Sequence, residues 1–178
     1  MPNLLALFVV ALVPMIVGFI YYHPKVLGAI WQREAGVTDE KLKGANMLVI
    51  FGLSFFFSLI LSVAMNTMST HDGMVGGATY YVEQLAKKDS VTHAQALQET
   101  KDWQKQYQTT IEANPLYTTH RLTHGFAHGL LVVGIFILLP VIVTNGLFER
   151  KSWKYVLINS GYWILTVTIM CTIHAVWR

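Results

Sequence analysis

The chain has 178 residues, of which 53% are hydrophobic and 13% charged, with a mean hydropathy of +0.44. Soluble domains carry about 25% charge, so this composition, with its apolar residues gathered in long blocks, excludes a disordered protein and argues against a soluble enzyme. A net charge of +3 without a dense basic run excludes a nucleic-acid surface, and the lone Cys171 excludes a disulfide framework or a cysteine cluster around a metal.

The length fits one domain. Four blocks meet the requirement of roughly 20 mostly apolar residues for a membrane helix, at about 4–22, 47–68, 123–143 and 156–177. The first lacks a basic leader and a small-residue cleavage site, which predicts a retained helix rather than a signal peptide. Pro14 is expected to bend it, leaving a carbonyl for neighbouring helices to satisfy. Between the second and third blocks lies a soluble insert at about 69–122. It opens with turn residues from His71-Asp72-Gly73, then carries a helix with capping-box spacing at Thr92-x-x-Gln95 and an apolar stripe of Leu97, Trp103, Tyr107 and Ile111, stopped by Asn114-Pro115. Such a helix fits packing on the outer ends of the bundle, or a docking surface for a partner protein. The fold class is therefore all-α, a four-helix membrane bundle with an extramembrane helical insert.

Lysine and arginine crowd the short first and third connections (Lys25, Arg33, Lys41, Lys43; Arg150, Lys151, Lys154), whereas Lys87 to Arg121 are spread over the long insert. The positive-inside bias then places the short connections in the cytoplasm and both termini and the insert outside. Trp31, Trp153 and Tyr155 fall near the inner boundary, and Tyr117 and Trp177 near the outer one.

Lipid tails are as apolar as leucine, so bilayer helices associate through close packing and polar contacts. Ser54, Ser58, Ser62 and Asn66 make one small polar ridge along the second block, and Gly125-x-x-x-Gly129 is a small-x-x-x-small pair in the third. The fourth holds Asn159, Ser160 and Gly161, then several threonines. These read as helix–helix contacts, with a polar pathway for a small solute as the alternative. No Asp, Glu, Lys or Arg lies within a block, which removes the usual groups of ion-coupled transport. Cys171, flanked by apolar residues, reads as packing.

Seven histidines remain. His120, His124 and His128 repeat every four residues and stack on one helical face. Neighbours in that stripe are about 6 Å apart along the axis and its ends about 12 Å apart, so one metal ion can take a pair but not all three. A closed site needs His71, Asp72 or His174 from elsewhere, and His124 and His174 are expected at similar depth. Zinc, copper or a bis-histidine haem would fit such a pair; so would a proton-responsive site, or a plain hydrated interfacial strip. Catalytic motifs are missing: His120 and His124 have the spacing of a zincin pair without its glutamate.

Several short stretches carry a family resemblance. They are Tyr21-Tyr22-His23-Pro24, then Trp31; His124-Gly125; Asn145-Gly146-Leu147-Phe148-Glu149-Arg150-Lys151-Ser152; and Ile158-Asn159-Ser160-Gly161-Tyr162. Together they resemble the bacterial four-helix membrane family called domain of unknown function 1761. That resemblance implies a fold and a membrane location, not an activity. The long insert departs from the family's short connection, His23 stands where Ser or Thr is common, and His120 and His128 are not motif positions, whereas His124 is. A shared inner-side polar cluster of Tyr22, Glu149 and Asn159, with Tyr162 one turn along, is expected from the motif residues.

The function that follows is a non-catalytic accessory or structural subunit of the bacterial cytoplasmic membrane. It would work through a protein partner or a second copy, engaged by the spans or by the insert. A metal- or haem-binding protein using His124 and His174, with His128, His120 or His71 assisting, is the alternative; a small-solute permease is a further one.

Overall fold

The computed structural model describes residues 3–70, 77, 80–84, 87, 92–112, 114 and 116–177; side chains at 92, 93, 107, 108, 111 and 112 lie outside what it describes. The described residues contain no strand. Four helices are long and apolar enough to cross a membrane: span 1, Leu4–Tyr21; span 2, Met47–Thr70; span 3, Tyr117–Phe148; and span 4, Trp153–Val176. Span 3 begins well before its apolar block. Its first turns are polar and invisible to hydropathy, but nothing in Tyr117–Thr123 breaks a helix.

Span 1 is two pieces, Leu4–Val10 and Val13–Tyr21. Pro14 has no N–H for the Val10 carbonyl, so regular winding stops and restarts with the proline in the first turn of the second piece. Span 3 is wound as an α-helix over Tyr117–Ala127, as a wider π-helix over His128–Leu138, and again as an α-helix over Leu139–Phe148. The wide segment ends two residues before Pro140, which cannot donate to the preceding turn.

The connection between spans 1 and 2 is more ordered than its composition implies. His23 accepts from the Lys25 N–H and caps a π-helical turn, Pro24–Gly28, that continues into the helix Ala29–Ala35. Gly28 has no side chain because a Cβ there would run into the Tyr22 carbonyl. Gly36 then takes a left-handed φ of 71° to end that helix, and Thr38 caps the short helix Asp39–Lys43.

Span 4 is the axis of the bundle. About 44% of its most apolar window is buried, against 11% for span 2. Val10, Val13 and Val17 of span 1, Met65 of span 2 and Val133 of span 3 converge on Val167, Met170 and Cys171 of span 4. Spans 3 and 4 touch almost backbone to backbone. A Cβ on Gly125 would lie 2.6 Å from the Ala175 Cβ and 2.8 Å from the Cys171 carbonyl, and one on Gly129 would meet the Thr168 Cα and the Val167 carbonyl. The two glycines thus provide the close approach that bilayer helices need.

The insert contains a helix over Thr92–Glu112. Among the described residues its backbone approaches the spans at most marginally. Trp103 stays exposed and Leu97 half-buried. The side chains of Thr92, Tyr107 and Ile111 lie outside the described set.

Candidate functional site

Three features of the bundle bear on function: a polar cluster at the end carrying the short connections, a histidine seam at the insert end, and an apolar groove between spans 1 and 2.

The polar cluster is built by three chain segments. Tyr22, at the end of span 1, donates its hydroxyl to Asn159 Oδ1 of span 4 at 3.0 Å, and Asn159 Nδ2 donates to the Tyr155 carbonyl one turn earlier. The Tyr22 ring packs 5.0 Å from that of Tyr162 and 5.2 Å from that of Trp31, between ring centres. Tyr162 donates its hydroxyl to the Pro14 carbonyl at 2.8 Å, tying span 4 to the break in span 1. Gly161 leaves room for Tyr21, whose hydroxyl would lie 2.6 Å from a Cβ there. A side chain that must be satisfied away from water therefore finds its partner across the helix interface.

Glu149 is not part of this cluster; it is exposed and its backbone N–H closes span 3 on the Asn145 carbonyl. The stretch Glu149 to Ser152 is a tight reversal. Arg150 takes a left-handed φ of 54°, the Lys151 N–H returns to the Gly146 carbonyl, and Ser152 caps span 4 by accepting from the Tyr155 N–H. The carboxylate that contacts this turn is Glu34, from the first connection. Its Oε2 accepts from the Ser152 hydroxyl at 2.7 Å, and its Oε1 pairs with Arg33 at 3.1 Å. The Ser152 hydrogen bond first, and Arg33 second, hold the Glu34 carboxyl below the usual carboxylate range. Nothing in the sequence around Glu34 marks it; only folding brings it 118 positions along the chain.

At the insert end His120, His124 and His128 do stack along one face of span 3, with ring centres 5.7 and 4.2 Å apart. His120 is exposed, and His124 and His128 are half-buried. The Arg121 guanidinium covers the ring of Tyr117 at 4.0 Å. His174 engages span 2. It is buried, and its Nε2 lies 2.9 Å from the Ser62 hydroxyl of span 2. Ser62 in turn donates to the Leu7 carbonyl of span 1 at 2.9 Å. The tight Gly125 and Gly129 contacts leave no gap for a macrocycle between spans 3 and 4 at that level. Among the described residues no three His, Cys, Asp or Glu side chains are arranged to hold a metal ion. His71 and Asp72, and the side chain of His93, lie outside the described residues.

The groove, of about 730 Å³, lies where spans 1 and 2 separate toward the short connections. Phe19, Tyr22, Phe51, Ser54, Phe57 and Trp163 are among its walls. The serine ridge of span 2 ends here: Ser58 and Ser62 are buried, whereas Ser54 is exposed on the groove.

The family model described as "Protein of unknown function (DUF1761)" matches residues 5–175, and the chain belongs to that family. No curated protein and no solved structure matches it.

Proposed function

We propose that this member of the family is a non-catalytic membrane subunit that assembles through the groove between spans 1 and 2, which receives a transmembrane helix of a second copy. The observation that carries this reading is Ser54. Exposed apolar surface says little in a bilayer, where lipid satisfies it, but a small polar ridge is how bilayer helices pair. This ridge pairs within the chain at Ser62, is buried at the groove wall at Ser58, and continues, open, at Ser54. Ser62 is not free to line a route for a solute, since its hydroxyl is engaged with Leu7 and His174 deep in the bundle. The insert, with Trp103 exposed, supplies a second surface on which a soluble partner can act.

The charge bias of the short connections supports a bacterial cytoplasmic membrane location with both termini outward; reporter fusions at each terminus test it. Assembly is tested with Ser54→Cys and Phe126→Cys variants in native membranes, using a short thiol crosslinker. Crosslinked dimer at position 54 and little at the lipid-facing position 126 is the expected result. A monomeric mass in mild detergent, with equal crosslinking at both positions, would refute it.

A further inference from the structure

We propose that Met65, Cys171 and His174 form a buried site for a soft monovalent metal ion, Cu(I), between spans 2 and 4. Three observations meet there. The Cys171 Sγ and Met65 Sδ atoms are 3.5 Å apart, and both residues are buried. Two sulfur donors about 2.3 Å from one metal, at tetrahedral to trigonal angles, sit about 3.8 to 4.0 Å apart; the pair therefore needs to open by only a few tenths of an ångström. His174 follows Cys171 by three residues, so both project from one face of span 4, one turn apart. Ser62 and Met65 repeat that spacing on span 2, and the contacts Ser62 to His174 and Met65 to Cys171 close the four side chains into one seam.

The third observation is the state of the imidazole. A serine hydroxyl has one hydrogen, and that of Ser62 goes to the Leu7 carbonyl. Toward His174 the Ser62 oxygen can only accept, so His174 Nε2 carries the proton. Nδ1 is then a bare lone pair. It is buried, in a side chain only 1% exposed, and has no hydrogen-bond partner among the described residues. A ring whose far N–H is held by a polar relay while its other nitrogen is unprotonated is the arrangement metal-bound histidines adopt.

Donor softness and charge select the ion. Thiolate with thioether favours Cu(I). On binding, the Cys171 S–H bond breaks, the S–Cu bond forms and the proton leaves to solvent. The thiolate cancels the single positive charge, so the loaded site is neutral. A divalent ion would leave one uncompensated charge inside the bilayer, which is strongly disfavoured. No oxidation state changes.

The experiment is anaerobic Cu(I) titration of the purified full chain in detergent against a chromophoric Cu(I) chelator. Expected are one copper per chain, an apparent affinity that rises tenfold per pH unit while the thiol is protonated, and no stoichiometric Zn(II). Cys171→Ser should abolish binding, and the near-isosteric Met65→Leu and His174→Gln should each weaken it at least tenfold. Met68→Leu, on the exposed side of span 2, should leave it unchanged. Far-UV circular dichroism and elution volume establish that each variant is folded. If the wild type takes up no stoichiometric Cu(I), or if folded Cys171→Ser and Met65→Leu bind as the wild type does, the proposal fails.

Discussion

Replacing Gly129 by alanine tests the packing logic of the bundle most directly. A Cβ at this position would sit 2.8 Å from the Val167 carbonyl oxygen and 3.1 Å from the Cys171 Cβ, and closer still to the Thr168 Cα. Ordinary contact begins near 3.4 Å, so spans 3 and 4 must part by at least about 0.6 Å. The opposing atoms are mainly helix backbone, so no side chain can rotate away and the whole seam has to shift. Overpacking of this kind costs about 1–3 kcal/mol. Alanine's better helix propensity returns up to about 1 kcal/mol. The net expectation is a loss of about 1–2 kcal/mol, in a bilayer setting where close packing is the main source of association. Gly52→Ala is the matched control, because a Cβ there meets nothing within 4 Å; it should be neutral or slightly stabilising. The assay is unfolding in mixed micelles by titration with a denaturing detergent, followed by tryptophan fluorescence. Equal stability of Gly129→Ala and Gly52→Ala would refute the claim that the glycine face sets the distance between spans 3 and 4.

Other outcomes follow from the same geometry. Tyr22→Phe removes the hydroxyl that satisfies Asn159 and should cost about 1 kcal/mol in the same assay; with Asn159→Ala, which also loses the bond to the Tyr155 carbonyl, it should be less than additive in a double-mutant cycle, since the two share one interaction. Gly161→Ala meets only the hydroxyl end of Tyr21, a side chain that can move, so its cost should be below that of Gly129→Ala. Glu34 has a lowered pKa in the folded chain, so its contact with Ser152 contributes fully above the ordinary carboxylate value of 4.5 and fades as the pH falls below it. Thermal stability between pH 6 and pH 3 should therefore lose a component that is missing from Glu34→Gln. Ser62→Ala strips the acceptor from His174 Nε2 and should destabilise by about 1–3 kcal/mol, as expected for a buried donor left alone.

Much of this architecture was legible because each span satisfies itself. A helix in lipid must close its own backbone hydrogen bonds, so its presence follows from a run of apolar residues, and spans 2 and 4 lie within a few residues of where hydropathy puts them. Pro14 announces the break in span 1 for the same local reason. Gly125 and Gly129 announce a close face on span 3, though not which helix fills it. The π-helical winding of span 3 has no comparable local signature, and its polar first turns carry no hydropathy signal at all.

What the sequence determined by itself is the membrane setting, the four crossings and the residues able to pack or to ligate. The tertiary structure decided which of them meet. His174 meets Ser62, which is tied to Leu7, at the seam where Met65 touches Cys171. Glu34 rather than Glu149 holds the turn before span 4. The physical reason is that periodicity fixes a residue's angle on its own helix, whereas partners depend on how helices rotate about one another. In lipid that rotation is set by small residues and a few hydrogen bonds distant in sequence, such as Tyr22 with Asn159.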